Sequence, residues 1–312
     1  MSIKKVKTKN HDEWSKLRSQ YIGGSDAAAV VGMNAFSSPY SLWAEKTGKK
    51  PGFAGNLATE VGTFLEEFVA QKFAQETGKK VRKCNCSFFN SKYPFAIANI
   101  DREIIGEDAG LEIKTTDSLN MKKFKNGEYP ENYYVQCVHY LAITGKKRWY
   151  LAVLIGNKEF KRFTIERDEE EIAALMSEEE RFWDYVVQDT PPEVDGSEAT
   201  SDTISTIYAE SNDGSSVDLM AYKTDLADYV AISRKIKELE VQKDEKVNRI
   251  KAFMGESSIG FCDGFKASWK TTERKTTFDA ARFASENPNI DLTKYYKKSS
   301  YRTFKITESK GA

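Results

Sequence analysis

Two histidines and four cysteines in 312 residues leave little from which to build a zinc centre. Cys84, Cys86, Cys137 and Cys262 show no C-x-x-C spacing, and His11 and His139 form no array beside them, which excludes a Cys/His cluster and fits a reducing cytoplasm. Long apolar runs are missing as well. The most apolar stretch, Trp149 to Gly156, is far too short to span a bilayer, and no basic start leads into an apolar signal core. Neither sign of charge dominates, with 47 basic and 47 acidic side chains. Composition therefore announces no nucleic-acid partner, and any basic surface has to be local. What is present suffices for a sizeable core: 40% of the residues are apolar, and 12% aromatic content argues against extensive disorder.

The stretch FAIANIDREIIGEDAGLEIKTT, Phe95 to Thr116, carries the most chemistry. With a turn at Gly106 to Ala109, antiparallel pairing sets Ile105 opposite Gly110, Glu103 opposite Glu112 and Asp101 opposite Lys114. Strand side chains alternate, so Asp101, Glu112 and Lys114 share one face while Ile104, Leu111 and Ile113 turn to an apolar side. Two carboxylates beside an amine suit phosphodiester hydrolysis, because hard oxygen ligands hold Mg²⁺, which polarises phosphate and ionises a bound water. The lysine can orient that water. It becomes a base only if its pKa falls from about 10.4, and that role stays open. Taken alone, Glu-x-Lys on a hairpin is also an ordinary solvated face, and Glu103 is a decoy on the same side.

Two helices flank the hairpin. Val61 to Lys80 has Phe64, Leu65, Phe68, Val69 and Phe73 at helical spacing, with Glu66 at the edge of the stripe and Glu67 further toward solvent. Glu131 to Lys147 puts Gln136, His139 and Tyr140 on one face. Each helix alone reads equally as plain core. Nearer the N-terminus, Ser25 reads as an N-cap after Gly23 and Gly24, so amides at a helix start could receive a phosphate, and Arg18 adds a planar fork. Asp26 weighs against a phosphate placed too close.

Six ordered blocks make these features specific: IGGSDAAAVVG (Ile22 to Gly32), SSPYSLWAEKTG (Ser37 to Gly48), GTFLEEF (Gly62 to Phe68), NID (Asn99 to Asp101), LEIKTT (Leu111 to Thr116) and VQCVHYLAITGKKRWYLAVLIG (Val135 to Gly156). Together they resemble the YqaJ-type viral recombinase family, related to phage lambda exonuclease and built on the PD-(D/E)xK nuclease fold. The resemblance implies an α/β fold of restriction-endonuclease type, with a mixed central sheet flanked by helices. It implies metal binding by Asp101, Glu112, Glu66 and the carbonyl of Ile113, a catalytic lysine at Lys114, a supporting glutamine at Gln136, and capture of a DNA 5′-phosphate by Arg18 and Ser25. The proline of the family motif is absent, since Asn99 and Ile100 precede Asp101. Two Mg²⁺ ions, with Mn²⁺ as a substitute, double-stranded DNA ends as substrate, a single-strand annealing partner, a ring-trimeric homo-oligomer and a cytoplasmic phage or prophage setting follow from the same resemblance.

Residues 1–190 are expected to form this core, ending in an outer strand, Lys158 to Glu166, and a helix from Asp168 to Tyr185. Pro191 to Leu219 holds seven acidic residues and no lysine or arginine, so 191–218 reads as an acidic linker. Residues 219–312 are expected to form a helix, striped by Ile232, Ile236, Leu239, Val247, Ile250 and Met254 and packed on its own chain, and a small α+β extension. There, strand-like Gly264 to Thr272 and Tyr301 to Thr307 surround helical Phe278 to Asn287. Ten basic residues interleaved with aromatics between Lys266 and Lys305 suit either DNA contact or a half-buried sheet. The expected activity is a Mg²⁺-dependent exonuclease digesting linear duplex DNA from the 5′ end; an endonuclease of the same fold and a noncatalytic DNA-binding recombination module are the rivals.

Overall fold

Strand β1 (Ile3–Val6) opens the computed structural model, which describes residues 2–273, 278–291, 293–297 and 301–307. The chain divides into two units, 1–208 and 209–312. In the first, α1 (His11–Ser19), β2 (Ile22–Gly23), α2 (Gly24–Val30) and α3 (Pro39–Lys46) precede the long helix α4 (Leu57–Thr77). Asn56 caps α4 by accepting from the Thr59 amide at 3.1 Å, and Gly78 ends it with φ +70°, a conformation that favours glycine.

Strands β3 (Val81–Lys83), β4 (Ser87–Asn90), β5 (Ala96–Asn99), β6 (Arg102–Ile104) and β7 (Ala109–Thr116) follow, then α5 (Glu131–Thr144), β8 (Arg148–Ile155), β9 (Glu159–Glu166), α6 (Glu169–Val187) and α7 (Glu198–Ile207). They form two sheets, ordered β1-β4-β5-β2 and β3-β6-β7-β8-β9. In the larger sheet β7 and β8 run parallel, joined through α5, and the other pairs are antiparallel. The continuous apolar run of β8 is explained by this central position, buried on both faces. The expected mixed sheet flanked by helices is thus present.

Several expectations are corrected. The hairpin register is displaced by two residues, with Glu103 opposite Gly110 and Arg102 opposite Leu111. Ile105 already lies in the turn, its amide donating to Lys80 O at 2.8 Å, and Ala109 opens β7 opposite Arg148 of β8. A two-residue displacement preserves the alternation of faces, so Ile104, Leu111 and Ile113 still enter one apolar cluster with Val69 and Phe73. On α4, Phe64 and Phe68 are 84% and 54% exposed rather than core. The cap of α2 is Gly23, not Ser25, which sits inside the first turn.

The stretch read as a linker contains α7, whose buried Thr200 and Thr203 lie against the α3 region: Thr200 Oγ1 donates to Ser38 Oγ at 2.7 Å, and Lys50 Nζ to Thr203 Oγ1 at 3.2 Å. In the second unit α8 (Lys223–Met254) is continuous, but its stripe is exposed except at Met254, which packs near Gly260. Among the described residues there, the strands are β10 (Ile259–Cys262) and β11 (Phe265–Ser268), paired as a hairpin, and α9 spans Ala280–Glu286. Tyr301 to Thr307 forms no strand.

Candidate functional site

Asp101 lies at the corner where the chain passes from β5 in one sheet to β6 in the other. The corner aims its carboxylate at the neighbouring strand, where Oδ2 accepts from the Ile113 amide at 2.7 Å. Ile113 thus meets Asp101 through its N–H. Next along β7, Glu112 is buried and its Oε1 accepts from Lys114 Nζ at 2.8 Å and from Gln136 Nε2 at 2.7 Å. Gln136 also donates to the Tyr140 hydroxyl at 2.8 Å, and the Lys114 ammonium stands 5.5 Å from the Tyr133 ring centroid.

Electrostatics in this corner are set by burial and by like charges. Burial, and next the Glu112 charge, push the Asp101 carboxyl well above the ordinary carboxylate range. Burial works against the Lys114 ammonium, yet the charge and hydrogen bond of Glu112, with Asp101 beyond, outweigh it and raise its pKa. Lys114 is therefore held as a protonated donor to Glu112 in this arrangement. The second oxygen of Glu112, Oε2, is buried with no hydrogen-bond partner. An orphaned carboxylate oxygen beside a second, half-buried carboxyl is a donor set that fits a hard cation.

Glu66 is differently engaged. Arg102, buried between α4 and the sheet, bonds to Glu66 Oε1, and its Nη2 donates to Glu67 Oε2 at 3.0 Å. Lys83 approaches Glu66 at 3.9 Å. Among the described residues no three His, Cys, Asp or Glu side chains gather as a metal-ligand group, because each carboxylate of the expected trio is held by its own protein partners. Glu103, the sequence decoy, is tied to Lys5 at 2.7 Å and Arg82 at 2.8 Å. His139 turns away from Gln136 into the interface with α6, where Nδ1 faces Glu179 Oε1 at 2.8 Å and Nε2 faces Ile97 O at 3.0 Å. Since the carbonyl can only accept, Nε2 carries a hydrogen and one proton is shared between Nδ1 and Glu179.

Two adjoining clefts open on Asp101. One, of about 170 Å³, is lined by Arg18, Ser25, Asp101, Glu112, Gln136 and Tyr140 among others, so the expected phosphate pair and the carboxylates face one space. The other, of about 280 Å³, includes Glu66, Lys83, Cys84, Cys86 and Asp101. Trp14 lines both, and the Arg18 guanidinium lies 5.5 Å from its ring centroid. Arg18 Nη2 donates to Ser25 Oγ. Asp26, the residue expected to repel a phosphate, is turned back: it accepts from the Gly23 amide at 3.0 Å and from Lys46 at 2.7 Å. Burial would raise its carboxyl, but Lys46 and Arg18 hold it below the ordinary range.

Sequence reasoning missed Arg102, Lys46 and Trp14. Only Trp14 carried a signal, as an aromatic four residues before Arg18 and so near it on a helix.

An aspartate at the entry to one strand and Glu-x-Lys on its antiparallel neighbour, in a mixed sheet flanked by helices, make a PD-(D/E)xK arrangement. The chain belongs to the YqaJ-like viral recombinase family, whose domain model matches residues 13–147. Protein YqaJ of Bacillus subtilis (strain 168) is 36% identical over 304 residues, covering 96% of this chain and 95% of that one. Among solved structures, the alkaline exonuclease LHK-Exo of Laribacter hongkongensis is 20% identical with TM-score 0.49, over 57% of this chain and 94% of that one. A phage-related exonuclease of Haemophilus somnus 129PT is 12% identical with TM-score 0.41, over 56% and 99%.

Proposed function

We propose that this chain is a divalent-metal-dependent exonuclease that digests linear double-stranded DNA from the 5′ end and leaves a 3′ single strand for recombination by annealing. The observation that carries the reading is the cleft in which Arg18 and Ser25 face Asp101, Glu112 and Gln136. Asp101 and Glu112 would hold the principal ion, with the Ile113 carbonyl, and Glu66 would assist a second once released from Arg102. Mg²⁺ is the expected ion and Mn²⁺ a substitute; bound there, such an ion polarises the scissile phosphate and ionises a water. Lys114 donates toward that water and the phosphate oxygens, Gln136 holds Glu112 in place, and Arg18 with Ser25 receives the terminal 5′-phosphate. Residues 1–190 carry the nuclease site in this reading. A homo-oligomer, in the ring-trimer form, and delivery of the product strand to a single-strand annealing protein in the cytoplasm of a phage host complete it.

The test is digestion of 5′-phosphorylated linear duplex against closed circular DNA, with Mg²⁺ or EDTA, by wild type and Lys114→Ala. Metal-dependent loss of the 5′ strand from linear DNA alone, abolished by the substitution, is the expected result. Cutting of circles points instead to an endonuclease, and DNA binding without any digestion to a noncatalytic recombination module.

A further inference from the structure

Cys84 and Cys86 take no part in the hydrolytic chemistry, yet both line the larger cleft with Glu66 and Asp101. Both are half-buried, Asn85 between them is exposed, and the two sulfurs stand 2.8 Å apart. Residues two apart in extended chain point to the same side, which explains the shared face. In a straight strand their Cα atoms would sit roughly 6.6 Å apart, at the upper limit of the disulfide range. Here the chain leaves β3 at Lys83, bends at Cys86 and enters β4 at Ser87, and that bend brings the thiols into contact.

We propose that Cys84 and Cys86 are a dithiol–disulfide couple, oxidised by low-molecular-weight disulfides of the glutathione class and reduced again by the corresponding thiols. The Cys86 thiolate, its proton lost to solvent, attacks one sulfur of the small disulfide; that S–S bond breaks and the first small thiolate leaves. Cys84 gives its proton to the departing thiolate, and its sulfur attacks Cys86 Sγ. The second small thiolate is expelled and takes a proton from solvent. Two cysteine thiols thereby lose two electrons and two protons, and one small disulfide becomes two thiols. The order follows from burial, which with the Cys86 hydrogen bond pushes the Cys84 thiol up to about 12, so Cys84 enters second, when the attack is intramolecular. The site adjoins the proposed hydrolytic centre through structure: Ser87, next to Cys86, donates from Oγ to Asn99 Oδ1 at 2.6 Å, and Asn99 lies two residues before Asp101.

The full chain carrying Cys262→Ser, to remove the exposed thiol, is equilibrated with graded ratios of oxidised to reduced glutathione. After acid quenching it is unfolded, alkylated with N-ethylmaleimide and mapped by peptide mass spectrometry. The peptide holding both cysteines should pass in one transition from two maleimides to none, lighter by two hydrogens and free of glutathione, while Cys137 stays alkylated. With Cys84→Ser added, glutathione should remain bound to Cys86, because no second thiol is there to expel it. Retention of both maleimides in excess oxidised glutathione overturns the proposal, and so does glutathione accumulating on the unsubstituted pair. The unsubstituted peptide decides the matter even if the serine variant does not fold, and no nuclease assay enters the result.

Discussion

Asp26 and Lys46 show how much a single ion pair can hold in place near the site. Lys46 Nζ also donates to Tyr21 O at 2.6 Å, so one nearly buried ammonium ties the α1–β2 connection to the start of α2. Removing one member of a buried pair strands the other charge and costs about 3–5 kcal/mol. Lys46→Met should therefore lower the unfolding free energy by about that amount in denaturant titration, and adding Asp26→Asn should return part of it; a loss under about 1 kcal/mol would refute the account. The sign of the pH effect follows from the lowered Asp26 carboxyl. Its stabilisation is complete above the unfolded value of about 3.9 and is lost as pH falls through the lower folded one. The stability gap between wild type and Asp26→Asn should be flat above about pH 5 and shrink on acidification. A gap that widened toward acid would contradict the pairing. For the neighbouring Arg18 and Ser25, the double alanine variant should lose more activity on 5′-phosphorylated ends than on 5′-hydroxyl ends, and equal loss on both would discard their phosphate role.

Between elements, close approach matters more than propensity. Helices α2 and α5 meet where Gly24 faces Tyr140, and a Cβ at Gly24 would stand 2.4 Å from the tyrosine ring. Gly24→Ala should cost roughly 1–3 kcal/mol by overpacking, and trimming the ring with Tyr140→Leu should recover part of it; additive losses in the double variant would place the strain elsewhere. Nothing in the local sequence pattern required glycine there. By contrast the helix expected from Asp168 to Tyr185 is present as α6, and its buried Ile172, Leu175, Met176 and Phe182 recur at helical spacing. The hairpin was legible in parity but not in register: the turn already begins at Ile105, whose amide bonds to Lys80, just before β3 and outside the local window. The roles of Glu66 and His139 could not be read from spacing for a similar reason: Arg102 and Glu179, which hold them, lie 36 and 40 residues away. On α7 the buried face is made of threonines, which a hydrophobic pattern does not register.

That threonine face decides where the molecule can be divided. An acidic stretch without lysine or arginine invites a cut near Gln188, yet α7 belongs to the first unit, which runs to Tyr208. Cutting at 188 would remove the Thr200 and Thr203 hydroxyls that bond to Ser38 and Lys50, and each hydrogen bond lost costs about 0.5–1.5 kcal/mol. Residues 1–208 should therefore melt as one cooperative unit, while 1–188 should melt at lower temperature or aggregate. Equal melting of the two fragments would mean that α7 adds nothing to the core. Activity then separates stability from function at the scale of the whole chain. If 1–208 folds and digests linear DNA as the full chain does, the basic and aromatic segment after Lys266 is dispensable for the chemistry. If it folds but digests poorly, with the loss growing as salt is raised, the second unit supplies phosphate contacts that the uncharged net balance of the chain conceals.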